Sequence, residues 1–125
     1  MNLSGRAVNY WLQKEKIPID RLLVLVDDIA LPFGIVRVRA KGGDGGHNGL
    51  KSISQVLGRN DYARLRFGIG DSFHPGFQVD YVLSNWSKQE EKELPFKTDR
   101  CIDIIHSFAT IGVSATMNAF NKKGD

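Results

Sequence analysis

The chain has 125 residues, 42% of them hydrophobic and 25% charged, which suits one globular domain with one core and excludes a disordered body. Its longest apolar run, Leu22 to Val26, is far short of the ~20 residues that cross a bilayer, and its single cysteine, Cys101, excludes an internal disulfide and a cysteine-built zinc site and fits a reducing, cytoplasmic setting. The net charge is +3, but charge is unevenly spread: Arg37, Arg39, Lys41, Lys51, Arg59, Arg64 and Arg66 face only Asp44 and Asp61 between residues 37 and 66, a local excess of basic groups.

Residues 1–10, MNLSGRAVNY, lack the basic segment and apolar stretch of a secretory signal. Residues 4–16 predict a helix with Val8, Trp11 and Leu12 on one face, closed by Pro18. LLVLV at 22–26 predicts a strand buried on both faces of a parallel or mixed sheet. GIVRVRA at 34–40 alternates, with Ile35, Arg37 and Arg39 on one face and Val36 and Val38 on the other. KGGDGGHNG at 41–49 is a glycine-rich loop. LKSISQVLG at 50–58 predicts a helix that turns Leu50, Ile53, Val56 and Leu57 inward and stops at Gly58. ARLRFGIG at 63–70 alternates again, with Leu65, Phe67 and Ile69 opposite Arg64, Arg66 and Gly68. FHPGFQ then predicts a loop, and VDYVL one or two helical turns. Ser87 is placed to cap a short helix and Pro95 to open the next, on which Cys101, Ile104, Ile105, Phe108 and Ile111 form a stripe and Gly112 a break. The last residues, NKKGD, predict a frayed end. No internal repeat or linker divides the chain. Helices alternating with strands argue for a single α/β domain in three layers.

Three constellations bear on chemistry. Asp27 and Asp28 follow directly on the apolar strand, where ligands of open α/β sheets bind. There a carboxylate either orients a histidine, holds a cation or simply begins a turn. In the glycine loop, backbone can approach a ligand closely. His47 is a candidate base or substrate contact, and Asn48 a candidate oxyanion donor. The bland alternative is a strand-to-helix turn with Asn48 as its cap. No Lys-Ser/Thr ending follows, so the loop is not a phosphate-binding P-loop. The third constellation is the arginine set. If their strands are neighbours, Arg37, Arg39, Arg64 and Arg66 form a stripe suited to phosphate, as opposed to an ordinary solvated face. Aromatic residues do not interleave with it, which points to duplex shape and phosphate over stacked single strands. His47, His74 and His106 lack metal-ligand spacing. A phosphohydrolase holding a metal on Asp27, Asp28 and Asp44 is the weakest reading.

Taken together, MNLSG at 1–5, VDDIALPFG at 26–34, KGGDGGHNGLKSI at 41–53, RLRFGIG at 64–70, DYVL at 80–83 and MNAFN at 117–121 resemble bacterial-type peptidyl-tRNA hydrolases across essentially the whole chain. The resemblance implies a mixed sheet between helices in a monomeric, cytoplasmic enzyme without metal or cofactor. It would hydrolyse the ester that links a peptide to tRNA, and so recycle tRNA from stalled translation. It implies that Met1 and Asn2 line the crevice, Asn2 against the substrate end. Asp27 would hydrogen-bond the general-base histidine, His47 gate the peptide channel and Asn48 hold water or substrate. Arg37, Arg39, Lys41, Lys51, Arg64 and Arg66 would meet tRNA phosphates. The family's general-base histidine and first strand match no residue here, so the chain reads as the C-terminal two-thirds of the fold over residues 1–125. It is expected to be inactive alone and to self-associate through an exposed sheet edge. The alternative is a non-catalytic RNA-binding module of the same fold.

Overall fold

The computed structural model describes residues 3–71, 82 and 84–121. Helix α1 (Ser4–Lys14) and a short 3-10 turn (Ile19–Arg21) lead into strand β1 (Leu23–Asp28). Strand β2 (Val36–Arg39), helix α2 (Asn48–Leu57), strand β3 (Ala63–Gly68) and helix α3 (Lys88–Phe120) follow. The three strands form one sheet in the order β1-β3-β2. β1 runs parallel to β3 and β2 antiparallel to it, so the sheet is mixed, as expected. Alternation along the strands makes two cores. On one face Val36, Val38 and Leu65 pack with Ile104 of α3. On the other, Val24 and Val26 pack with Val8 of α1 and with Leu50 and Ile53 of α2. This is the three-layer α/β/α arrangement. Residues 73–78, residues 79–81 and Leu83, where a loop and a helical turn are expected, lie outside the described residues.

Small residues let α1 and α2 approach. A Cβ built on Gly5 would stand 2.2 Å from the Ser52 carbonyl oxygen, so only glycine fits at this crossing. The Gly5 N–H donates to Ser52 Oγ at 2.9 Å. Val8 is partly buried at this approach, but Trp11, expected on the same inward face, is 52% exposed. It packs edge-on against Tyr10 under the Lys14 ammonium. The helix also ends before Pro18. The Lys16 N–H donates to the Gln13 carbonyl and the Ile17 N–H to the Leu12 carbonyl. Lys16 at φ 53° takes the left-handed place in this Schellman turn.

β1 departs from expectation. It lies at a sheet edge, and Leu25 is 53% exposed, so the strand is not buried on both faces. The opposite edge is closed. Asn121 lays its side-chain amide along β2, accepting from the Val38 N–H at 2.9 Å and donating to the Val38 carbonyl at 2.7 Å. At least Asn121 of the expected frayed end is therefore anchored.

α3 begins at the expected cap. Ser87 Oγ accepts the Glu90 N–H, and the Glu90 carboxylate accepts the Ser87 N–H, a reciprocal capping box. Pro95 opens no second helix; it lies inside this one, where it removes one backbone bond. At Gly112 the backbone reaches φ 84°, ψ 177°, a region open essentially to glycine alone. There the chain turns back on itself. Arg100 donates to the Phe120 carbonyl at 3.1 Å, and Ser107 and Thr116 share a hydrogen bond of 2.7 Å, whereas twenty residues of straight helix span about 30 Å. Of the expected stripe, Ile104 is buried and Cys101 packs beside it, while Ile105 and Ile111 are exposed. Burial pushes the Cys101 thiol above its ordinary pKa. The returning arm supplies Val113, Met117 and Phe120 to the core in place of Ile105 and Ile111.

Replacing Asn121 with Ala leaves the buried Val38 N–H unpaired and its carbonyl with the Arg39 guanidinium bond at 3.2 Å. Urea unfolding of Asn121→Ala should show a loss of about 1–3 kcal/mol, and an unchanged midpoint would show that the clamp contributes nothing.

Candidate active site

The site forms where β1 ends and α2 begins. The turn after β1 is sewn to the end of β3: the Ile69 N–H donates to the Asp28 carbonyl at 3.0 Å and the Gly70 N–H to the Leu31 carbonyl at 2.9 Å. Phe33, Phe67 and Trp86 stack edge to face beside this turn. The two aspartates at the strand end then divide their work. Asp28 takes the bland role. Its Oδ1 accepts the Ala30 N–H at 2.8 Å, a local turn contact, and its Oδ2 lies 3.6 Å from Arg66 Nη1. Asp27 instead reaches across to the glycine loop, where its Oδ1 stands 2.8 Å from His47 Nε2.

His47 is held at both ends of its ring. Its Nδ1 accepts the Leu50 N–H at 3.3 Å, so the proton of the neutral imidazole resides on Nε2 and is donated to Asp27. His47 is therefore the N-cap of α2, the place that the bland alternative gave to Asn48. Asn48 is the first residue of the helix, and its side chain is exposed. The loop is shaped from within by Asp44, whose Oδ1 accepts the Gly46 N–H and whose carbonyl accepts the His47 N–H. Gly58 closes α2 in the left-handed conformation, as expected, while Val56 is exposed.

These elements enclose a cavity of about 510 Å³. Val26, Ile29, Ala30, Leu50 and Val82 form its apolar wall. Asp27, Asp28, Asp44, His47, Asn48 and Arg66 converge on it from the polar side. Such a cleft, apolar with a few placed polar groups at the carboxyl end of a strand, has the anatomy of a small-ligand site. Ile29, Ala30 and Val82 were not legible as wall residues, because only the turn after β1 brings them there. Asp27, Asp28 and Asp44 each carry a hydrogen bond within the protein, and among the described residues no three His, Cys, Asp or Glu side chains group to hold a metal. Met1, Asn2 and His74 lie outside the described residues. His106 is exposed on α3, remote in sequence from the cleft.

The arginine strands are neighbours. Arg37 stands opposite Arg66 and Arg39 opposite Arg64 on one sheet face. Arg37 and Arg66 are half-buried, and Arg39, Lys41 and Lys51 are exposed. Arg64 corrects the expectation of a phosphate contact, for it is 0% exposed and its guanidinium is enclosed by protein carbonyls. Burial pulls its pKa below the ordinary arginine value. Arg59, in the same basic window, is paired with Asp61.

Because His47 caps α2 through its ring, His47→Asn should retain the cap and His47→Ala should lose it. Denaturant unfolding should place the alanine variant about 1 kcal/mol below the asparagine variant; equal stabilities would remove His47 from the capping role.

A family model described as peptidyl-tRNA hydrolase matches residues 1–125. The chain is 56% identical over 121 residues to the peptidyl-tRNA hydrolase of Porphyromonas gingivalis, covering 97% of this chain and 65% of that protein. It is 55% identical over 123 residues to that of Parabacteroides distasonis, covering 98% and 66%. The chain thus spans about two thirds, 65–66%, of the length of these relatives. Its fold is similar to the crystal structure of peptidyl-tRNA hydrolase from Acinetobacter baumannii, with a TM-score of 0.86 at 29% identity, over 97% of this chain and 61% of that one.

Proposed function

The chain belongs to the peptidyl-tRNA hydrolase family, and we propose that its cleft receives the 3′ end of a peptidyl-tRNA, with the peptide ester beside Asn48 and the tRNA backbone on the arginine stripe. The observation that carries this reading is the placement of Arg66, which lines the cleft and also stands opposite Arg37 on the sheet face. Like charges directly opposite on a sheet repel. Asp28, 3.6 Å from Arg66, offsets part of that repulsion; a phosphate adds to that offset, and guanidinium groups meet phosphate in bidentate fashion. Arg39, Lys41 and Lys51 extend the basic surface away from the cleft. Asn48 stands at the start of α2, where an amide donor and the positive end of the helix dipole favour a developing oxyanion. Met1 and Asn2 complete this crevice in our reading, which follows the family resemblance at those two positions. The setting is cytoplasmic, with the tRNA.

Ester hydrolysis needs a base with a free lone pair toward water. Among the described residues the cleft holds one histidine, and both of its ring nitrogens are engaged. We therefore propose that the 125-residue chain binds tRNA without turning it over, and that a histidine base outside the described residues would share the Asp27 carboxylate with His47. Release of peptide from an N-blocked aminoacyl-tRNA should be undetectable with the chain alone. Turnover that disappears in His47→Ala would make His47 the base and overturn this assignment.

The engaged His47 ring also favours a second reading, a non-catalytic RNA-binding module. The two separate on the ester end. The hydrolase reading requires tighter binding of a non-hydrolysable peptidyl-tRNA analogue than of free tRNA, with the difference lost in Asn48→Ala; equal binding favours the module. In either case Arg37→Ala, Arg39→Ala and Arg66→Ala should each reduce the salt slope of tRNA binding by about 1, read by titration at several salt concentrations.

We also propose that the chain self-associates through the edge of β1, where a parallel strand of apolar residues is left half-exposed. A chain that sediments as a monomer at micromolar concentration contradicts this.

A further inference from the structure

The buried guanidinium of Arg64 has no part in the reading above. Its Nη2 donates to the Asn60 carbonyl at 2.6 Å and to the Tyr62 carbonyl at 3.3 Å, its Nε to the Tyr62 carbonyl at 3.4 Å, and its Nη1 to the Gly43 carbonyl at 3.2 Å. Its plane lies over the Tyr62 ring, 4.3 Å from the centroid. Among the described residues these contacts include no carboxylate. A buried cation without a counter-ion is costly, and carbonyl dipoles must offset the lost hydration. A hydrophobic side chain would fill this place in β3 more cheaply. What the guanidinium adds is a bridge between two separate stretches of backbone, residues 60–62 and Gly43.

Those stretches converge on the cleft. Gly43 lies in the glycine loop, and in that loop a Cβ built on Gly42, Gly43, Gly45 or Gly46 would meet nothing within 4 Å. No side chain fills the space beside these glycines, and hydrogen bonds hold the loop backbone at Gly42, Gly43, Gly46 and His47. Arg64 supplies one at Gly43. A second joins the Gly42 N–H to the Asn60 carbonyl that Arg64 also grips. Asp44 carries the constraint forward to Gly46 and His47. On the other side Tyr62, stacked beneath the guanidinium, contacts Ser54 Oγ at 2.9 Å and the Leu50 carbonyl at 3.4 Å, both on α2.

We propose that Arg64 is a positioning residue that ties the glycine loop to α2 through one guanidinium and so sets His47 and Asn48 against Asp27. The inference rests on the cleft being the substrate site, but it is read without substrate. Lysine keeps the charge and loses the planar fork, so Arg64→Lys separates bridging from charge. In the 15N-labelled chain, exchange of the Gly46 and His47 amides should accelerate about tenfold or more in Arg64→Lys, through local opening. The amides that pair β2 with β3 should keep their protection. Unchanged exchange at Gly46 and His47 overturns the proposal, whatever the outcome of any tRNA assay. If the variant loses its sheet protection as well, the unmodified chain decides. Separate, slowly exchanging Nη signals for Arg64 support the bridge, and a single averaged signal overturns it.

Discussion

One hydrogen bond, from His47 Nε2 to Asp27 Oδ1 at 2.8 Å, joins the end of β1 to the start of α2 and makes the cleft what it is. Without it the strand end and the helix start would be separate surfaces. With it the imidazole is committed twice, to a carboxylate on one side and to the Leu50 N–H on the other. That double commitment fixes the tautomer and caps the helix, and it withholds both ring nitrogens from a water molecule. In the function proposed above, this histidine serves the architecture of the site and the exposed Asn48 amide beside it meets the ligand.

The support behind that bond lies in β3, the central strand. β3 pairs with both neighbours, contributes Leu65 to the core beneath α3 and holds Arg64 and Arg66 on the opposite face. The two arginines have similar sequence settings and opposite fates. Arg66 reaches the cleft and is balanced by Asp28. Arg64 is sealed under the glycine loop, which closes over it between β2 and α2. The sheet's two edges differ as sharply. Asn121 satisfies the Val38 backbone on the β2 side, and Leu25 marks the half-covered β1 side.

The strands were legible because period-two alternation survives in VRVR and in RLRF and an apolar run in LVLV, but their order and pairing were not. The helix cap at Ser87 was legible for a similar reason, since Ser and Glu three residues apart are a local signal. Other features depend on tertiary contacts that no local pattern carries. The exposure of Trp11 follows from how closely α1 meets α2 at Gly5. The displacement of Ile105 and Ile111 from the core follows from the reversal at Gly112, which the sequence announced only as a break. The burial of Arg64 follows from the path of the loop above it. At the site, the proximity of Asp27 and Asp28 to a ligand cleft was readable from their place after an apolar strand, but the place of His47 as the cap of α2 was not. Histidine is an uncommon cap, and only the position of Asp27 turns its ring to accept from Leu50.

The most direct test of this account is the 15N spectrum of the His47 imidazole in the free chain near neutral pH. The account predicts a single neutral tautomer with the proton on Nε2 and a hydrogen-bonded shift at that proton, both altered in Asp27→Asn. A ring protonated at Nδ1, or an even mixture of tautomers insensitive to Asp27, would contradict it and would return His47 to the list of available bases.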